Sequence, residues 1–235
     1  MKKWIPLVLL GLMLCPGSFG WAGERFQAGL TFNIGFPQSD FKNNIDRLGF
    51  GASGTFLYRL PESPIYVGLS AGVLVYGSEK WTDTFSPTFP EILVDARTRN
   101  YILLAHLVVR LQPQGDFRPF IEGLAGLNHL WTETSLYDSD HSGDDDFASA
   151  VNISDTVMSY GAGAGIQFTI IKALRRSGEN AFAVDMELGA RYIYGGRADY
   201  LKEGSIFREN GEVTYDVLQS ATSLISARAG FCFRF

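Results

Sequence analysis

Phe26-Gln27-Ala28-Gly29-Leu30-Thr31-Phe32-Asn33-Ile34-Gly35-Phe36 alternates without a break: the even positions are apolar, and the odd ones hold Gln27, Gly29, Thr31, Asn33 and Gly35. Successive side chains of a strand point to opposite faces, so this stretch reads as a two-faced strand. Its length matches the ~9–11 residues that a tilted strand needs to cross a bilayer.

Working outward, the same pattern recurs at 49–60, 65–76, 100–112, 119–131, 157–170, 182–194 and 217–235. In 65–76 the apolar set is Val67, Leu69, Ala71, Val73 and Val75, opposite Gly68, Ser70 and Gly72. In 182–194 it is Phe182, Val184, Met186, Leu188, Ala190, Tyr192 and Tyr194, opposite Asp185, Glu187 and Arg191. The connections alternate in length, with 61–64, 113–118 and 171–181 short and 37–48, 77–95, 133–156 and 195–214 long. An even strand number with that alternation predicts an all-β, up-and-down antiparallel barrel with one decorated end.

A soluble lipocalin-like barrel would also alternate, with its polar face turned to water. Such a surface needs many charges. Here the polar face is mostly Gly, Ser, Thr, Asn and Gln, small enough for the crowded interior of an eight-stranded barrel. Aromatics gather near strand ends, at Phe26, Phe36, Phe50, Tyr58, Tyr101, Trp131, Tyr192, Tyr194 and Phe235, where bilayer girdles lie. The reading is therefore a barrel with its apolar face outward, in lipid.

The amino terminus has the layout of a secretory signal peptide: Lys2 and Lys3, an uncharged apolar run from Trp4 to Cys15, then small residues. Residues 1–22 are assigned to it, with cleavage after Gly20 or Ala22, leaving 23–235 as the barrel domain. A lipoprotein reading of Cys15 is disfavoured by Leu14 before it and Pro16 after it. Loss of Lys2 and Lys3 takes the net charge from −5 to −7, which argues against nucleic acid as a partner. Only Cys232 then remains, too few for a disulfide. Hydrophobic residues make up 46% of the chain and charged residues 19%, a balance that favours burial over disorder.

Phe231-Cys232-Phe233-Arg234-Phe235 resembles the terminal signature of Gram-negative outer-membrane barrels, with Phe231, Phe233 and Phe235 as the element read by the barrel-assembly machinery. Arg118-Pro119-Phe120-Ile121-Glu122-Gly123 and Tyr160-Gly161-Ala162-Gly163-Ala164-Gly165-Ile166 are similar to the small outer-membrane β-barrel superfamily of OmpA-like and OmpW-like proteins. The resemblance covers nearly all of 23–235. It implies an eight-stranded antiparallel up-and-down transmembrane β-barrel with four long extracellular loops, located in the cell outer membrane. It also implies contact with outer-membrane lipid and lipopolysaccharide. It does not specify an activity, because the superfamily includes anchors, adhesins, small-solute channels and enzymes.

Chemistry-bearing residues are few. Arg59, Arg110, Glu122, Asp185, Glu187, Arg191, Arg228 and Arg234 share the inward phase. Charges taken out of water must pair or cost several kcal/mol each, so these are expected to form a salt-bridged lumen network, with a gated ion path as the rival use. His106 has the same phase. A Ser–His pair of the lipid A deacylase kind would have to be built from His129, on the outward set near Thr132, or from His141-Ser142, and neither stretch carries the His-x-Ser-Asn type of signature.

The stretch 133–155 holds seven acids and no Lys or Arg. Asp138, Asp140, Ser142 and Asp144 reproduce the first half of a calcium loop, but position twelve is Ser149 in place of a bidentate carboxylate. A surface calcium site is the only cofactor these residues suggest; otherwise none is expected. Residues 77–95 carry Trp81, Phe85 and Phe89, and Asp95, Arg97 and Arg99 continue the outward phase as charges, so a sheet projecting above the bilayer is expected there.

The function expected is a non-enzymatic, surface-exposed structural or interaction protein, with an extracellular ligand reached through the loops. The alternatives are a narrow channel for small or apolar solutes and, third, a lipid-modifying membrane enzyme.

Overall fold

A computed structural model describes residues 25–45, 47–86, 89–138, 148–173, 182–202, 205–209 and 212–235. The segment assigned to a signal peptide lies outside them. The strands are β1 (Phe26–Pro37), β2 (Gly49–Arg59), β3 (Ile65–Ser86), β4 (Phe89–Leu111), β5 (Phe117–Asp138), β6 (Ala148–Ala173), β7 (Phe182–Gly195), β8 (Arg197–Tyr200), β9 (Ile206–Glu209), β10 (Glu212–Tyr215), β11 (Leu218–Ala221) and β12 (Leu224–Arg234). One short helix, α1 (Ser39–Asn44), follows β1.

The eight long strands close into an antiparallel barrel in the order β1-β12-β7-β6-β5-β4-β3-β2. Closure pairs the first strand with the last, from Gln27 opposite Arg234 to Pro37 opposite Leu224. Phe26 N–H donates to the Phe235 carbonyl at 2.9 Å, and Phe235 N–H returns a bond to the Phe26 carbonyl at 3.1 Å. The barrel therefore has no free edge along this seam.

The alternation read in the sequence is the alternation of the two faces. Leu30, Phe32, Leu69, Leu107, Ile121, Met158 and Phe231 are exposed, and Leu107 and Met158 reach 65% and 72%. Their neighbours Thr31, Ser70, His106, Glu122 and Ser159 are buried inside. An apolar belt running round the barrel is far larger than a water-facing protein tolerates; it is the surface of a membrane-spanning barrel. Aromatic pairs border the belt. At the short-turn end Phe26 packs on Tyr58 (5.0 Å) and Phe235 (6.2 Å), and Phe182 on Phe233 (6.0 Å). Toward the other end Tyr101 stacks on Trp131 (4.9 Å) and Tyr160 lies against Tyr194 (5.1 Å).

The decorated end is built more from strands than from loops. β3 and β4 stay paired as far as Ser86 opposite Phe89, and β4 and β5 as far as Val94 opposite Asp138. Most of 77–95 and both ends of 133–156 are thus strand, forming a wall beyond the belt. In water both faces of a strand can be polar, so the alternation that marks the lipid-crossing part fades there while the hydrogen bonding continues. The connection 195–214 holds β8, β9 and β10, and 37–48 holds α1. The eighth segment, 217–235, is broken in two: β11 pairs with β8, and β12 enters the barrel only at Leu224.

Leu107→Arg places a charge at mid-depth on the outer face. It is expected to lower unfolding stability in phospholipid vesicles by about 2–4 kcal/mol. Urea titration of the refolded barrel measures this, and an unchanged midpoint would mean that this face looks onto water.

Candidate functional site

The lumen holds the greatest concentration of chemistry. Arg110 on β4 and Glu122 on β5 stand opposite each other in register, as do Glu122 and Gly163 on β6, and Gly163 and Arg191 on β7. Gly163 carries no side chain into the lumen, so Arg191 crosses it to reach Glu122. A Cβ at Gly163 would sit 2.9 Å from Arg191 Cγ and 3.1 Å from Glu122 Oε1.

Glu122 is the hub. Arg110 Nε donates to its Oε2 at 3.0 Å and Arg191 Nε to its Oε1 at 2.7 Å. Arg228 Nη2 lies 2.9 Å from Glu122 Oε1 and 2.9 Å from Glu187 Oε1. Arg110 Nη1 also donates to Glu187 Oε2 at 3.1 Å. Phe120 lies under the guanidinium of Arg110, 4.0 Å from its ring centre, a favourable cation–π arrangement in a desolvated site. Three arginines thus share two glutamates, all of them buried.

A second layer lies toward the short-turn end. Asp185 accepts from Arg118, from Arg234 Nε at 2.8 Å and from Thr169 Oγ1 at 2.8 Å. Gln27, Gln112 and Gln167 form a hydrogen-bonded chain across the barrel, and Gln167 Nε2 donates to Glu187, joining the layers. Beyond the second layer, at the short-turn mouth, Lys172 pairs with Asp116 and holds that carboxyl below its ordinary range.

On the other side of the hub the lumen turns neutral. His106 Nε2 and Ser159 Oγ are 2.9 Å apart. Asn33 Nδ2 donates to Ser53 Oγ at 2.9 Å, and Thr132 Oγ1 to Asn100 Oδ1 at 2.8 Å. The decorated end is then closed by hydrocarbon. Phe41 of α1 meets the rings of Tyr76 and Tyr200 edge-on at 5.6 Å and 5.3 Å. Around them Leu74, Ile102, Leu130, Ile193, Ala198 and Leu224 are buried. Asn44 Nδ2 donates to Tyr200 Oη at 2.8 Å, and Tyr200 Oη lies 2.6 Å from Ser220 Oγ. The helix and the β8–β11 ribbon therefore lie together over the mouth.

Arg110, Glu122, Glu187, Arg191 and Arg228 come together at the hub, while Asp185 and Arg234 lie in the second layer. Arg59 joins neither: among the described residues no carboxylate is within ion-pair distance of it, and it lines the short-turn mouth. Arg118, absent from the expected network, is fully buried on Asp185. Its phase matches Phe120 and Glu122, but a strand begun at 119 leaves it out. The lid was also missed, although Phe41 and Ile45 stand at i and i+4, the spacing of a helical turn.

The outward chemistry is sparse. His129 bonds Thr156 (Nδ1 to Oγ1, 2.8 Å) and stacks on Trp131. Thr132, its expected neighbour, points into the lumen. Phe231 and Phe233 lie on the outer face of β12, and Phe235, just past its end, is exposed as well. Asp140, Ser142 and Asp144 lie outside the described residues, as does His141, and of Asp138 only the backbone is described.

No protein-family model and no curated protein sequence matches the chain. Among solved structures it is similar to neisserial surface protein A (14% identity, TM-score 0.38, covering 91% of this chain and 96% of that one). It is also similar to the attachment invasion locus protein Ail of Yersinia pestis in complex with sucrose octasulfate (15%, 0.35, 90% and 97%). A third is a major outer membrane protein from Thermus thermophilus (12%, 0.36, 88% and 99%). The architecture described above rests on the strand pairing itself.

Glu122→Gln keeps the shape of the hub and removes half of its negative charge. Breaking a buried pair in this way is expected to cost about 3–5 kcal/mol of unfolding free energy. In a double-mutant cycle with Arg191→Met, the double variant should recover part of that loss; strictly additive effects would mean the two groups are uncoupled.

Proposed function

We propose that the protein is an integral β-barrel of a Gram-negative outer membrane that acts without catalysis, as a structural or interaction protein presented at the cell surface. The observation that supports this most directly is the filled lumen. Layered ion pairs occupy its short-turn half, and the Phe41–Tyr76–Tyr200 lid occupies the opposite mouth. A channel needs a water-continuous path between the two mouths, and buried side chains stand in the lumen at each of these layers.

In this reading the termini and short turns face the periplasm, and the strand wall, α1 and the β8–β11 ribbon face outward. Phe231, Phe233 and Phe235 present the terminal signal to the barrel-assembly machinery. The wall and the acidic stretch 133–155 meet lipopolysaccharide or an extracellular ligand, with calcium as the cation that would bridge acids and phosphates. Among the described residues of the outer face, the lipid-modifying alternative would use His129 with Thr156. Among the described residues no carboxylate bonds His129 to orient it as a general base, and such an orienting group is part of that chemistry.

Planar-bilayer recording of the refolded chain tests the proposal. Folded protein is expected to be electrically silent. Discrete conductance steps that change with Arg110→Gln would replace this reading with the narrow channel. Altered lipid A in cells expressing the chain, abolished by His129→Ala, would replace it with the enzyme.

A further inference from the structure

We propose that the cavity at the short-turn mouth of the lumen is a binding site for a phosphate-type oxyanion, either free or carried on a lipid headgroup. The cavity holds ≈ 180 Å³ and is lined by Arg59, Tyr66, Gln114, Arg118, Lys172 and Arg234, together with Gly115 and Asp116. At ~30 Å³ per water in the liquid, that is ample room for one tetrahedral anion with some of its hydration.

Cations predominate in the lining. Four of them, Arg59, Arg118, Arg234 and Lys172, line the cavity, and among the described residues Asp116 and Asp185 are carboxylates in contact with them. Both are already engaged, Asp116 by Lys172 and Asp185 by Arg118 and Arg234. Arg59 has no carboxylate partner among the described residues.

Arg118 is only 1% exposed and is held by Asp185 and Gln167, so its charge is fixed at the cavity wall. An oxyanion in the cavity answers the positive charge gathered there. Phosphate offers its tetrahedrally arranged oxygens to Arg59, Arg118 and Lys172 and, as the free ion, carries more negative charge than a carboxylate. Guanidinium groups also match phosphate in geometry as well as charge.

The inference does not depend on which side of the membrane this mouth faces, nor on whether the lumen conducts. It is tested by titration calorimetry on the full chain folded in a phosphate-free maltoside detergent. Inorganic phosphate is one ligand; short-chain phosphatidylglycerol, with phosphatidylcholine as its zwitterionic control, is the other. Binding of inorganic phosphate assigns the site to a free anion. Binding of phosphatidylglycerol alone, over both phosphate and phosphatidylcholine, assigns it to a lipid headgroup. In either case Arg59→Gln should weaken binding about tenfold, the loss of one charge-assisted contact. Lys172→Gln, at the half-exposed rim, is the second variant should the first fail to fold, and is expected to weaken binding in the same direction. No binding of either ligand, or affinity unchanged in the folded variants, overturns the proposal.

Discussion

A backbone in hydrocarbon cannot leave its N–H and C=O groups unpaired. The pairing of β1 with β12 answers that constraint, and most of the architecture follows from it. Once the first strand must meet the last, the strand number is even and the chain ends lie together. The outer face must be apolar over the thickness of the belt. Eight strands also fix the radius, leaving just enough space for side chains. The lumen is therefore a packed interior that happens to be polar.

That interior is filled in an uncommon currency. Leucines could occupy the same volume, and replacing buried ion pairs by apolar groups is often neutral or stabilising. Charges add sensitivity to register. A one-residue slip of any strand turns its inward set to the outside; a slipped β4 would carry Arg110 into lipid, and a slipped β5 would carry Glu122. The hub also depends on what is missing from it. Gly163 and Gly189 leave the gaps through which Arg191 and Arg228 reach the glutamates, so the small residues of β6 and β7 belong to the network as much as the charged ones.

How legible the molecule was depended on how local the signal is. The eight-stranded barrel could be read from period two, because the bilayer enforces that period on every crossing, and the outward turn of its apolar face from the small, sparsely charged residues opposite it. The inward phase of Glu122, Glu187 and Arg228 followed from the same rule. What could not be read was pairing across the lumen. Nothing near Asp185 in the sequence says that Arg118 rather than Arg59 will meet it; that is settled by stagger around the barrel. The lid was hidden for a different reason. Phe41 and Tyr200 come from two connections and Tyr76 from within β3, and each looks like an isolated aromatic until the ribbon folds over the mouth. The strand wall was legible only in part, at Asp95, Arg97 and Arg99, since in water the alternation loses its cause.

The wall has a mechanical consequence. β3, β4, β5 and β6 run unbroken from the short-turn end to well beyond the lipid, whereas β1, β2, β7 and β12 stop near its outer border. A pull on the tip of the wall is directed along the strand axes and straight into the membrane-embedded sheet. Long antiparallel ladders loaded in that direction resist in shear, many hydrogen bonds at a time, rather than peeling one by one. A tether raised on one side of the ring also leans its burden on half of the staves, and those four are the ones stitched together by the longest ladders in the molecule.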